Sequence, residues 1–424
     1  MSQNVDNENY HISILLILSN YYNTSMPSWP EVMGVFGSSL HKRGHNVDWI
    51  LPNRTGIIGT ISTTKFNDST LYLIPFTKSD NPFLIFLSLF FYQIRIFYLI
   101  NYLIKINNYN ILMVRDDEIS GVAAVIFKKL YKIKFIFNYS FPHYQGALDV
   151  YNDHNKHKTK LLYYKLLNII LIHLIFKKSD YIFPISNEMK NDIINTGVAE
   201  SIICPLPLGV DLEAFQNRIE PEKIRKRHGI KSDDFLFIYV GSLASVRGLN
   251  VLLEAFNIVV AEDKKTKLLI VGSGNDMNNL VNITRNLNLN EHVIFTNQIP
   301  FLDVPSYIAA SDVGVSIIKP LVCFRVSSPC KLFEYMAMRK PVIANKEIPE
   351  QMRVINESHC GLLTDYSAKS ISERMLMMIK QHYEDSSSMK ILGDNGRRWV
   401  SSNRTFDILS VDVENACKKL LGQK

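Results

Sequence analysis

FLFIYVGSLASVRGLNVLLEAFNIVVAEDKKTKLLIVGSG, residues 235–274, decides the fold class. FLFIYVG (235–241) is an uncharged apolar run of strand length that stops at a glycine. Strands buried on both faces of a parallel sheet have this composition, because helices cover each side. GLNVLLEAFNIVVAED then predicts a helix, and KLLIVGSG (267–274) a second strand ending on glycines. Strand, tight turn, helix, strand is the repeating unit of a doubly wound parallel sheet.

The alternation continues in both directions. Downstream, NDMNNLVNITRNLNL predicts a helix, HVIFTNQI (292–299) a strand and VPSYIAAS a helix. VGVSIIK (313–319) predicts a strand, SPCKLFEYMAMR a helix, PVIAN (341–345) a strand, and 385–424 helices. Upstream, after HISILLILSN (11–20) as a strand, VMGVFGSSLHKRG is a helix stopped at Gly44, and HNVDWILP a strand. YNILMVR (109–115), IKFIFNYS (133–140), DYIFPIS (180–186) and SIICPLP (201–207) are further expected strands, with helices ISGVAAVIFKKLYK and NEMKNDIINTG among them. Between the two series, Glu213 to Asp234 is charged and unpatterned. The expectation is an α/β chain of two Rossmann-like doubly wound domains facing across a cleft. They cover residues 1–207 and 208–400, with a boundary near 205–215, and residues 401–424 form a helix packing back toward the first domain.

The bulk numbers agree with a cytoplasmic protein. Of 424 residues, 47% are hydrophobic and 21% charged, too charged for a polytopic membrane protein. The net charge of +7 suits phosphate ligands or an anionic membrane surface and does not by itself indicate nucleic acid, which is not an expected partner. Much of the excess lies in residues 105–190, with 13 basic against 7 acidic side chains. The cysteines Cys204, Cys323, Cys330, Cys360 and Cys417 are odd in number and form no C-x-x-C pair, which argues against a disulfide framework or zinc site. The polar start, MSQNVDNENYH, does not read as a signal peptide. Two apolar stretches, 81–106 and 161–180, are interrupted by Arg95 and Lys165, respectively. A span needs about 20 apolar residues, so both are expected as buried or membrane-surface helices.

Several turns carry chemistry. In GSLASVRG, backbone N–H groups at a helix start plus Arg247 suit a diphosphate, although an ordinary strand–helix turn has the same residues. Gly272 and Gly274 make a tight turn, but Met277 replaces the third glycine of a dinucleotide fingerprint. Lys331 and Glu334, three apart, share a helical face. A lysine at a helix start opposes the dipole unless an anion sits there; the alternative is a solvated salt-bridged face. Asp116 and Asp117 end the 109–115 strand, placed either to meet a ligand at the sheet edge or to cap the next helix. His143 follows the 133–140 strand in NYSFPH and is either a site residue or a loop histidine.

PLGVDLEAF, GSLASVRGLNVLLEAF, VGSGNDMNNL and SPCKLFEYMAMRKPVIA, in this order and spacing, resemble the family 4 glycosyltransferases of GT-B fold (glycosyl transferases group 1). LHKRGHNVDWILP and SDYIFPISNEMK resemble the same family, and the resemblance runs from about residue 11 to 400. It implies retaining transfer of a hexosyl or N-acetylhexosaminyl unit from a nucleotide-sugar donor to a glycan or lipid-linked acceptor, in polysaccharide or glycolipid biosynthesis. It implies no cofactor and no essential metal. Carried onto this chain, the donor contacts fall at Gly241, Ser242, Arg247, Gly272, Gly274, Ile299, Lys331, Leu332 and Glu334. Acceptor contacts fall at Ser28, Asp116, Asp117 and His143, and His143, Arg247 and Lys331 take the catalytic roles. The chain departs from the family pattern at four places. Arg247 replaces the usual lysine, and Ser242 stands where an arginine is common. Val326 stands where the first of two paired glutamates falls, and Pro27 and Ser28 occupy an expected glycine pair. Together with the basic, apolar N-terminal half, the resemblance implies a peripheral position on the inner face of the membrane. Two other classes stay open: a catalytically silent nucleotide-sugar-binding module, favoured by Val326 and Ser242, and a nicotinamide-dependent enzyme using VGSGND, opposed by the missing glycine.

Overall fold

Ile14, Leu15, Leu16, Ile17 and Leu18 have no exposed surface, which places their strand inside a sheet covered on both faces. A computed structural model describes residues 11–19, 32–53, 59–77, 81–151, 157–216 and 219–422. Pro27 and Ser28 lie outside the described residues. The N-terminal sheet contains β1 (Ser13–Leu18), β2 (Asn46–Asn53), β3 (Ser62–Phe66), β4 (Ser69–Pro75), β5 (Ile111–Arg115), β6 (Lys134–Tyr139) and β7 (Tyr181–Pro184). Its spatial order is β3-β4-β2-β1-β5-β6-β7. Leu16 stands opposite Trp49 on one side and Met113 on the other, and only β3 runs antiparallel to its neighbour.

The second sheet contains β8 (Phe235–Val240), β9 (Thr266–Val271), β10 (Val293–Phe295), β11 (Val313–Ser316), β12 (Val342–Asn345) and β13 (Gly361–Thr364). It is parallel throughout, in the order β10-β9-β8-β11-β12-β13. Strand order therefore reverses beside β1 in one sheet and beside β8 in the other. The chain has two Rossmann-like domains in the GT-B arrangement. In open parallel sheets ligands bind at such reversals, beyond the C-terminal strand ends.

Some segments differ from expectation. SIICPLP is not a regular strand. Ile203 makes one bridge with Ile182, and the amides of Cys204 and Leu206 donate to Ile182 and Pro184. Pro205 and Pro207 carry no N–H, so a ladder cannot continue through them. HVIFTNQI shortens to β10, ending before Asn297, whose φ of 62° turns the chain. The charged stretch contains a short helix, Pro221–Arg227. The β3–β4 hairpin and β13 carry little local signal: β3 is a polar, largely exposed edge strand and β13 has four residues.

The helices that build the site are α1 (Pro82–Ile106), α2 (Glu118–Tyr131), α3 (His143–Val150), α4 (Lys158–Ile170), α5 (Asn250–Glu262), α6 (Cys330–Ala337) and α7 (Phe406–Leu420). α1 buries Tyr92, Ile96, Ile100 and Leu103 in the core of the N-terminal domain and leaves Phe90, Phe97, Tyr98 and Tyr102 exposed. α4 buries none of its own residues; its continuation, Leu171–Phe176, sends Leu171, Ile175 and Phe176 into the core. By length and composition, Leu87–Ile106 and Lys158–Phe176 are each sufficient to cross a membrane. α7 places Phe406, Leu409, Val413 and Cys417 in the apolar cluster around β1 and β2. The chain thus crosses between domains twice. The crossings lie side by side, with the Val210 amide donating to the Arg404 carbonyl at 2.9 Å.

Candidate active site

A cavity of about 410 Å³ lies between the domains. Ser19, Arg115, Asp116 and Ser140 line it from the C-terminal edge of the first sheet, and Val240, Gly241, Ser316 and Ile317 from that of the second. Both strand-order reversals therefore open onto one space.

On the second-domain side, the chain leaves β8 through Gly241 and Ser242 into a single 3-10 turn, Ser245–Arg247, and then Gly248 at φ 64°. The guanidinium of Arg247 lies over the Phe324 ring, 4.4 Å from its centroid, which holds the charge at the cavity wall. α6 follows Pro329, whose side chain cannot cap it, and the Leu332 amide donates back to the Pro329 carbonyl at 3.2 Å. The cavity lining includes residues 327–331, so this helix start opens onto it. The ammonium of Lys331 donates to both carboxylate oxygens of Glu334, at 2.7 and 2.9 Å. Glu334 is only 4% exposed and sits behind the lysine. The shared helical face is real, and it is an ion pair at the edge of an anion-sized site.

Several residues assigned to the donor contribute differently. A Cβ on Gly272, whose φ is 144°, would lie 1.9 Å from the Gly241 carbonyl oxygen; one on Gly274 would lie 2.2 Å from the Leu243 backbone. These glycines let the turn after β9 pack on the turn after β8 and do not line the cavity. Leu332 is fully buried in the domain core, and Ile299 packs on the same cluster. Leu332 thus faces inward, Ile299 is half-buried, and neither lines this cavity.

On the first-domain side, Asp116 has a left-handed φ of 50°. Its carboxylate accepts from the Ser140 amide at 2.7 Å, from the Ser140 hydroxyl and from the Phe141 amide at 3.3 Å. Arg115 lies 3.7 Å away. Asp117 caps α2, accepting from the Ser120 amide at 3.0 Å and its hydroxyl at 2.7 Å, and burial pushes its carboxyl up. Of its two readings the cap is the observed one, and Asp117 does not line this cavity. His143 begins α3 and lines the cavity, its Nδ1 donating to the Glu118 carboxylate at 2.9 Å. Burial alone would lower the imidazole. The Glu118 hydrogen bond and charge, with Asp116 and Asp117 behind it, outweigh that and leave the group raised. Ser28 lies outside the described residues.

Glu118, Phe141 and Phe324 are site residues that the sequence reading passed over. Glu118 had a faint signal, directly following two aspartates; Phe141 and Phe324, which line the cavity from opposite domains, had none. Val326 belongs to the apolar core of the first domain, and its carbonyl accepts from the Ser186 hydroxyl at 2.7 Å. The Leu208 amide donates to the Ser328 hydroxyl at 3.0 Å, and the Cys323 amide to Asp149 at 3.1 Å. The segment before α6 is thus both a cavity wall and a domain contact. Cationic groups and a helix start on one wall suit an anion; the imidazole and carboxylates on the other suit hydroxyl groups.

Residues 220–399 match the family described as Glycosyl transferases group 1. An "uncharacterized glycosyltransferase" of Methanocaldococcus jannaschii is 27% identical over 232 residues, 54% of this chain and 56% of the relative. The capsular polysaccharide biosynthesis glycosyltransferase CapM of Staphylococcus aureus is 25% identical over 253 residues, 55% of this chain and 60% of the relative. The chain thus spans little more than half the length of these curated relatives. Among solved structures, HepE of Anabaena in complex with UDP and glucose superposes with a TM-score of 0.69 at 13% identity, covering 96% of this chain and 100% of that one. At that identity the likeness concerns the fold.

Proposed function

We propose, from the match of residues 220–399 to the glycosyl transferases group 1 family and from the GT-B fold of the whole, that the protein is a retaining glycosyltransferase. It moves a hexosyl or N-acetylhexosaminyl unit from a nucleoside diphosphate sugar to a glycan or lipid-linked acceptor, with no cofactor or essential metal. It works at the cytoplasmic membrane surface, toward polysaccharide or glycolipid synthesis. The observation that carries this reading is the single cavity with an anion-binding wall, Arg247 and the α6 start with Lys331, facing His143 and Asp116. The names of similar proteins agree: HepE holds UDP and glucose, and CapM is named for capsular polysaccharide.

The chemistry follows from that division. The bond between the anomeric carbon and the diphosphate oxygen breaks, and the oxygen keeps the electron pair. Arg247, Lys331 and the positive end of the α6 dipole stabilise the charge that develops there, positioned in advance. Lys331 turns from Glu334 to the phosphates, and Glu334 accepts from ribose hydroxyls. The acceptor hydroxyl bonds to the anomeric carbon on the same face, and its proton passes to the departing phosphate oxygen. His143, fixed by Glu118, donates to a hydroxyl of the transferred sugar.

A screen of UDP-, GDP- and ADP-sugars for hydrolysis, with thermal shift by the matching nucleoside diphosphates, tests the proposal. One donor should stabilise the chain and be turned over. Stabilisation without turnover toward any acceptor would mark a binding module, and stabilisation by NAD alone would end the reading.

A further inference from the structure

A second, smaller cavity of about 170 Å³ lies at the C-terminal edge of the first sheet. Its walls are apolar, with Leu89 and Tyr92 from α1, Ile119 from α2, and Tyr163 and Leu167 from α4. Its floor is Asp116, Asp117 and Glu118. Ser19 and Asp116 also line the interdomain cavity, so the two spaces meet at these residues. The same two helices, α1 and α4, carry Phe90, Phe97, Leu162 and Leu166, all more than two-fifths exposed. The cavity therefore lies between two helices that carry exposed apolar side chains and adjoins the wall assigned to the acceptor.

The charge of the cavity restricts what can use it. Its described lining holds three carboxyl groups and no lysine or arginine; the nearest cationic partners, Arg115 at 3.7 Å from Asp116 and His143 at 2.9 Å from Glu118, lie on the side of the interdomain cavity. Anionic headgroups are repelled by such a floor, whereas hydroxyl groups donate to it. The burial and charge surrounding Tyr163 tell the same story: Glu118 and Asp117 help to push its phenol up.

Resting on the glycosyltransferase reading, we infer that this cavity is the acceptor port and that the acceptor is a lipid with an uncharged, hydroxyl-bearing head. The head enters over Asp116 and Glu118 toward His143, and the apolar chain leaves between α1 and α4. Lipids headed by a phosphate or diphosphate are excluded by the carboxylate floor.

The test uses the full chain with two probes of equal chain length, dodecyl maltoside and dodecyl phosphate, below their micelle concentrations. Binding is read by saturation-transfer NMR and calorimetry. The uncharged probe should bind at least about tenfold more tightly than the phosphate, a difference of about 1.4 kcal/mol. Ile119→Trp and, independently, Leu167→Trp fill the cavity from two helices, and each should weaken dodecyl maltoside about tenfold or more. Equal or tighter binding of dodecyl phosphate overturns the proposal, as does wild-type affinity for dodecyl maltoside in either folded variant, which would place the probe on the exposed helix faces. Nucleoside diphosphate affinity in the same samples should be unchanged by both substitutions. Its absence from the wild type would overturn the donor reading without altering the amphiphile result.

Discussion

His143 and Glu118 make the most pH-dependent contact of the site. Because the imidazole is raised above its ordinary value near 6.5, the folded state holds its proton more tightly than the unfolded chain. Its contribution to stability is full below about pH 6.5 and is lost as pH rises through the folded value. Glu118→Gln keeps an acceptor and removes the charge. The variant should show a lower His143 midpoint by NMR titration. Its stability deficit should be largest near pH 6 and shrink as pH rises; a deficit that does not change with pH would mean the pair is not ionic. Lys331 is the second decisive residue. Lys331→Met should weaken nucleoside diphosphate binding by about 1.5–3 kcal/mol, the range for a charged hydrogen bond. It also removes the ammonium paired with the buried Glu334, so the melting temperature should fall, whereas Lys331→Arg keeps the pair and most of the affinity. Unchanged affinity in calorimetry would reduce Lys331 to a structural partner of Glu334.

At the scale of elements, α1 and α4 carry the exposed apolar side chains on which the proposed membrane contact rests. One face of α1 is core and the other is exposed and aromatic, which is the pattern of a helix lying on a membrane surface. Basic side chains near an anionic bilayer contribute about 1 kcal/mol each, so the excess within residues 105–190 is ample. The chain should float with anionic liposomes at low salt and release as salt rises, because screening shortens the reach of exposed charges. Tyr98→Glu with Tyr102→Glu, both on the outer face, should reduce flotation without lowering the melting temperature. Absence of flotation at low salt would leave these faces without a membrane role. Binding that survives high salt and alkaline carbonate would instead mean that one helix spans the bilayer.

Over the whole molecule, the paired crossings at Val210 and Arg404 set how the domains close on the cavity. Gly209 permits the pairing: a Cβ there would stand 2.5 Å from the Arg404 carbonyl oxygen, a backbone atom that cannot step aside cheaply. Gly209→Ala should break the crossing, lower the melting temperature and enlarge the solution radius measured by X-ray scattering, with donor affinity reduced because both walls of the cavity must meet. A radius and affinity equal to the wild type would show that the crossing does not hold the domains. Val326 belongs to the same scale. Where the resemblance expects a carboxylate, this chain has a side chain packed in the opposite domain's core. A glutamate there would be buried without a cation, which is costly, so valine suits the closed arrangement.

The strand–turn–helix alternation was legible because both periodicities are local. A run such as LLIVG or SILLIL is apolar from end to end only when both sheet faces are covered. The pairing of Lys331 with Glu334 was legible for the same reason, since three residues on a helix are one turn apart. The strand expected at 201–207 was not found, because Pro205 and Pro207 cannot donate to a ladder. What lay beyond the sequence was contact between segments with no fixed spacing along the chain. Glu118 and His143 are 25 residues apart and meet because β5 and β6 are neighbours in one sheet. Phe324 and Phe141 share a cavity only because two domains close. Asp117 and Asp116 are adjacent and alike, and only the fold separates a helix cap from a cavity wall. By itself the sequence determined ten of the thirteen strands, the turns after β8 and β9 and the helix that carries Lys331, because these follow from short-range burial and backbone geometry. The tertiary structure decided which side chains face the cleft, because that depends on strand order and domain closure, which no local pattern encodes.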